Sequence, residues 1–162
     1  MIIGTTKFND FSFEYVAPLY LLNVSDLSLV NIKDIYVLNE LNLEQIENTL
    51  VSEIKLSQIL AKIFLQIVID GKMTSKEIGE KLGITEIMAN ENLKQLIQFG
   101  GLIDYTETEF EALHPRFASV NMYRKMCERE NLEFKKNNLV DNIGIALENS
   151  YDDVRTKYNK RK

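Results

Sequence analysis

Met73-Thr74-Ser75-Lys76-Glu77-Ile78-Gly79-Glu80-Lys81-Leu82-Gly83-Ile84-Thr85 reads as a short capped helix, a turn and the cap of a second helix. Thr74 and Glu77 have the spacing of a capping box, in which the threonine oxygen accepts a free amide and the glutamate reaches back. Ile78 and Leu82 lie one turn apart on one face, and Gly79 permits close approach of a neighbour. Gly83 suits the left-handed backbone that ends a helix. Thr85 caps the next helix, which is predicted to run to about Phe99, where Gly100-Gly101 stops it. Leu102-Ile103-Asp104-Tyr105 and Glu109-Phe110-Glu111-Ala112-Leu113 then alternate like two strands joined at Thr106-Glu107-Thr108. Helix, turn, helix and two-stranded ribbon is the order of a winged helix-turn-helix.

Outward from this stretch, the pattern remains helical. Leu56, Ile59, Leu60, Ile63, Phe64, Ile67 and Val68 follow an i, i+3, i+4, i+7 repeat, and Leu65 and Ile69 outside it predict a helix covered on more than one side. Asn42-Leu43-Glu44-Gln45 predicts a helix start, with Leu43, Ile46 and Leu50 on its apolar side. After the ribbon, His114-Pro115 opens a helix with Phe117, Val120, Tyr123 and Cys127 on one side and Arg116, Arg124, Lys125 and Arg129 as its basic residues. A last helix, starting at Leu132 or Asn137, carries Val140, Ile143, Leu147, Tyr151, Val154 and Tyr158 at a mean spacing near 3.6. That spacing favours packing along a surface, either of this chain or of a dimer mate, and Gly144 predicts a close backbone approach. In residues 1–41, Phe11, Phe13 and Tyr15 alternate, and Val30 to Leu38 is rich in β-formers, so two or three short strands are expected. Such a layer would cover the helices or bind a partner.

The fold expected is mainly α with a small β component: a winged helix-turn-helix over 42–113, an N-terminal extension over 1–41, and C-terminal helices over 114–162. A composition of 45% apolar and 27% charged residues is that of an ordinary globular protein. No apolar run approaches a membrane span and the first residues do not read as a secretory signal, so no membrane contact and a cytoplasmic location are expected. One cysteine, Cys127, and one histidine, His114, leave no disulfide and no nitrogen-and-sulfur metal cluster. Cys127 reads as a small buried group and His114 as a boundary residue. With no paired carboxylates, metal ligands or phosphate loop, neither an enzyme nor a cofactor is expected.

The net charge of −5 conceals a gradient. Residues 1–50 carry 2 basic and 7 acidic side chains, residues 51–113 carry 6 and 10, and residues 114–162 carry 11 and 7. A nucleic-acid binder presents a basic footprint, and only the last third can supply most of one. In the helix after Thr85, projection at 100° per residue turns Ala89, Leu93 and Leu96 inward and Ile87, Asn90, Glu91, Lys94 and Gln98 outward, with Glu86 at the exposed first turn. Asn90 can pair with adenine, Lys94 with guanine or phosphate, Ile87 with a thymine methyl and a glutamate with cytosine. Arg116, Arg124 and Lys125 are the candidate phosphate contacts beyond the ribbon.

Leu56-Ser57, Ala61-Lys62-Ile63-Phe64-Leu65, Gly71, Glu77-Ile78-Gly79, Leu82-Gly83-Ile84, Leu93, Leu96 and Gly101-Leu102-Ile103 resemble the N-terminal winged helix of archaeal TrmB-type transcriptional regulators. The resemblance covers about residues 54–130 and extends to His114-Pro115-Arg116. It implies a dimeric regulator that binds duplex DNA. The large sugar-binding domain of that family is not expected to follow. The alternative is a winged-helix protein-interaction module that does not bind DNA, motivated by the acidic balance of residues 1–113 and the outward Ile87.

Overall fold

The computed structural model describes residues 32–159, with side chains described from Leu43 to Lys157. Residues 1–41 and 42–162 fall into two units, and the second holds the sheet and the helices that pack on it. The strands expected around Phe11 to Tyr15 and the basic tail at 160–162 lie outside the described residues.

Helix α1 spans Ile32–Glu53, so helix replaces the strand expected towards Leu38, and Asn42 lies inside it rather than capping it. An interior asparagine costs a helix only a few tenths of a kcal/mol, and Leu38, Glu40, Leu41 and Leu43 around it are good helix formers. Ile46 and Leu50 are buried on its inner side. Helix α2 (Gln58–Asp70) is capped by Ser57, whose side chain accepts from the Leu60 amide at 3.3 Å. Leu60, Ala61, Ile63, Phe64, Leu65, Ile67 and Val68 of α2 are all buried, the cover on more than one side that its excess of apolar residues predicts, while Gln58 and Lys62 stay exposed.

Strand β1 (Met73–Thr74) leads into α3 (Ser75–Leu82), a turn with Gly83 in the left-handed region at φ 67°, and α4 (Glu86–Gln98). Both halves of the Thr74–Glu77 box form, and Thr85 accepts from the Met88 amide at 3.2 Å. Strands β2 (Leu102–Asp104) and β3 (Glu109–Ala112) follow. The sheet has three antiparallel strands in the order β1-β3-β2, with Met73 opposite Phe110 and Ile103 opposite Glu111. The third strand was not expected: two residues are too few to show a period of two. Helices α5 (Pro115–Arg129) and α6 (Asn138–Asn159) pack on one another and α6 returns onto α2, so residues 114–157 contribute to the same core as α2 to α4. Among the described residues the chain is mainly α, with six helices and one small sheet, and no helix is long and apolar enough to cross a membrane.

One expectation is corrected on the C-terminal helices. On α5 the inward residues are Pro115, Ala118, Ser119, Met122, Met126 and Cys127, while Phe117 is 69% exposed. The rotation has a steric cause: Gly100 and Gly101 bring the backbone against α5, where a Cβ on Gly101 would meet Met122 Sδ at 2.7 Å. On α6 Val140, Ile143, Leu147 and Tyr151 are buried within this chain, so most of that stripe packs along this chain's own surface, and Val154 is half-buried. Gly144 explains how: a Cβ there would lie 2.7 Å from Arg116 Cα.

Gly144→Ala therefore sets two effects against each other, a gain of about 1 kcal/mol in helix propensity and an overpacking cost of about 1–3 kcal/mol. Urea denaturation should show net destabilisation; a stabilised variant would mean that α5 and α6 do not pack this closely.

Candidate nucleic-acid interface

The outer surface of α4 is assembled by local chemistry. Thr74 and Glu77 fix the start of α3, Gly83 turns the chain, and the close contact at Gly79, where a Cβ would meet the Ile84 carbonyl at 2.9 Å, seats α3 against the turn. Ser75 Oγ then donates to Glu86 Oε1 at 3.3 Å, which brings the first turns of α3 and α4 together. Ala89, Leu93 and Leu96 point into the core as expected. Outward, Glu86, Ile87, Glu91 and Lys94 are exposed and Asn90 is half-buried. Ile87 is 74% exposed and its neighbour Met88 48%. Lys76, next to Ser75 on the first turn of α3, is a second exposed cation beside this surface. Sequence projection missed it because it treated α4 alone.

Three basic residues of α5 are engaged elsewhere. Arg116 is held by Glu148, with Nε at 3.0 Å and Nη2 at 2.6 Å from one carboxylate oxygen. Hydrogen bonding and charge at Arg116 hold the Glu148 carboxyl below the usual range, and Glu148 in turn raises the guanidinium's. Lys125 Nζ donates to the Gln98 carbonyl at 2.7 Å, and the Arg129 guanidinium stacks 4.0 Å above the Phe99 ring. Both sit at the C-terminal end of α4, where unpaired carbonyls attract cations. Gln98 is about 18 Å from Glu86 at 1.5 Å rise per residue, so Lys125 serves the far end of the helix. Arg124 is exposed and donates to Asn121 on its own helix at 3.2 Å. Thr85 acts as the cap of α4, with its oxygen committed to the Met88 amide.

The β2–β3 turn is ordered by Thr106, whose hydroxyl accepts from the amides of Thr108 and Glu109 at 3.3 and 3.0 Å. Asp104 and Glu107 are exposed on it, so the hairpin presents negative charge. Its inner side holds a residue that strand alternation did not anticipate as buried. Glu111 is 9% exposed and accepts from Arg155 Nη2 at 2.6 Å, because α6 returns over the sheet face that a free hairpin would leave wet. Tyr151 lies beside this pair, and burial pushes its phenol up from the ordinary value. His114 caps α5 without a side-chain bond; its Nδ1 is buried without a partner and its Nε2 is 3.6 Å from Glu148.

Glu77 gives a pH signature for the capped turn that carries α4. The Thr74 amide at 2.7 Å, then the Thr74 hydroxyl, hold its carboxyl below the ordinary value. A carboxyl lowered in the folded state stabilises above its unfolded pKa and loses that contribution as pH falls through the folded one. In urea titrations, Glu77→Gln should be less stable than wild type at neutral pH, and the gap should close on acidification; a gap independent of pH would remove the carboxylate from the cap. No known protein family, curated protein or solved structure matches the chain.

Proposed function

We propose that residues 54–113 form a winged helix-turn-helix and that the protein is a transcriptional regulator reading duplex DNA with α4. The observation that carries this reading is the uncovered outer face of α4, seated on a capped α3–turn unit and followed by a hairpin that pairs with β1. Ile87, Asn90, Glu91 and Lys94 lie on that face, which suits base-edge contact in the major groove. The resemblance of residues 54–130 to archaeal TrmB-type regulators supports the same reading.

The charge pattern makes the reading specific. Lys94 and Lys76 are the cations at this face, set against Glu86 and Glu91, and Arg116 and Lys125 are engaged elsewhere. Binding therefore depends on base edges more than on phosphates. With one or two phosphates neutralised per recognition helix, log K should fall against log salt with a slope of about −1 to −2 per helix. Fluorescence anisotropy on duplexes selected from a randomised pool checks this at low salt. Lys94→Glu should weaken binding roughly tenfold or more and reduce the slope by about 1, whereas Arg116→Ala should leave it near wild type. Failure to select any duplex at low salt would rule the reading out.

The second reading is a protein-interaction module on the same scaffold, favoured by the exposure of Ile87 and Met88 beside Glu86 and Glu91. A cluster of apolar side chains ringed by polar ones is an interface pattern. Under it, Ile87→Asp should abolish recovery of a protein partner from the native cell, and no duplex should be selected. A homodimer, the usual state of such regulators, would need residues of α6 other than the buried stripe, where Leu139 and Ile145 are exposed.

A further inference from the structure

A cleft of about 280 Å³ opens between the end of α2, the inner side of the hairpin and the last turns of α6. Its volume is at the lower end for small-molecule sites, enough for a ligand of about one ring. Ile67, Val68 and Ala112 make an apolar floor. The polar lining comes from Lys72, Tyr105, Glu111, Tyr151 and Arg155.

Those five residues are organised as two cations, each on an aromatic ring. Lys72 Nζ sits 3.1 Å from the Tyr105 ring centre, and the Arg155 guanidinium carbon 4.4 Å from that of Tyr151. Such stacking orients a cation without neutralising it. Glu111 takes the Nε–Nη2 edge of Arg155 through a single oxygen, at 3.2 and 2.6 Å, leaving the Nη1 corner outside the pair. Two positive charges against one negative leave the lining with a net positive charge. Glu111 is the buried member of this pair, whereas the Arg155 side chain is half exposed at the cleft, so its free corner is open to an occupant. A charge pair retained at the wall of an open, apolar-floored cleft is the arrangement that fixes and orients a ligand.

We infer that this cleft binds a small carboxylate with an apolar body, its carboxylate between Lys72 and Arg155 and its body on Ile67, Val68 and Ala112. The rings of Tyr105 and Tyr151 close the sides. Because Tyr105 belongs to the hairpin and Tyr151 and Arg155 to α6, an occupant ties the hairpin to α6. Ligand binding here does not depend on whether α4 meets DNA, so either can fail without the other.

The test is a nuclear magnetic resonance titration of the full chain with benzoate, and with benzylamine as a cation of similar size. Benzoate should produce saturable shifts at the amides of Gly71, Lys72, Tyr105 and Ala112 in the millimolar range, and benzylamine should not. Lys72→Gln, at the mouth of the cleft, should weaken benzoate roughly tenfold, the loss of one charge-assisted contact. Arg155→Gln with Glu111→Gln removes the pair without leaving a lone buried charge and should weaken it at least as much, in a protein whose amide spectrum remains dispersed. Equal response to benzylamine, shifts centred elsewhere, or benzoate affinity unchanged in Lys72→Gln would each overturn the inference.

Discussion

Burial of α2 on more than one side is the constraint on which the rest of the unit depends. Phe64, Ile63, Ile67 and Val68 are almost wholly inaccessible, and each such side chain contributes about 1.5–3 kcal/mol when removed from water. A helix with so wide an apolar face cannot be covered by one neighbour alone. It needs α4 on one side, the sheet on another and α6 on a third, and those are the elements that pack on it. The return of α6 along α2 is thus a requirement of α2, and it determines that Glu111 is covered and that a cleft forms beside it.

The elements can close around α2 because small residues stand where backbones meet. Gly79, Gly101 and Gly144 each sit where a Cβ would come within 3 Å of a neighbouring atom. Gly101 turns Met122 inward and so sets the rotation of α5, leaving Phe117 outside. Gly144 lets α6 lie against the first turn of α5, where Arg116 and Glu148 pair. Packing and charge are coupled here. The close approach that buries the apolar stripe also brings the carboxylate that engages Arg116, and so removes that residue from the candidate DNA surface.

The same coupling places four of the described basic residues of the C-terminal third beside separate partners. Lys125 and Arg129 lie at the negative end of α4, Arg116 faces Glu148, and Arg155 faces Glu111. Each is placed by a local electrostatic partner. What remains around the first turns of α3 and α4 is mixed in sign and apolar at Ile87 and Met88.

The sequence by itself determined the elements whose causes are local. The Thr74–Glu77 box, the left-handed Gly83, the Thr85 cap, the inward face of α4, the cover of α2 on more than one side and the close approach at Gly144 follow from propensity, capping and period within a few turns of chain. Tertiary structure alone decided what depends on partners distant in sequence. A two-residue β1 exists because Phe110 is opposite Met73. Glu111 is buried because α6 covers it, and the inward face of α5 was decided by the glycines it meets. Among the candidate site residues, Ile87, Glu91 and Lys94 were legible as exposed, since helical projection needs only the local period. Arg116 and Lys125 were not legible as engaged, because their partners lie 32 and 27 residues away. Pattern within a helix determines which way a side chain faces; only the packed chain determines what it meets there.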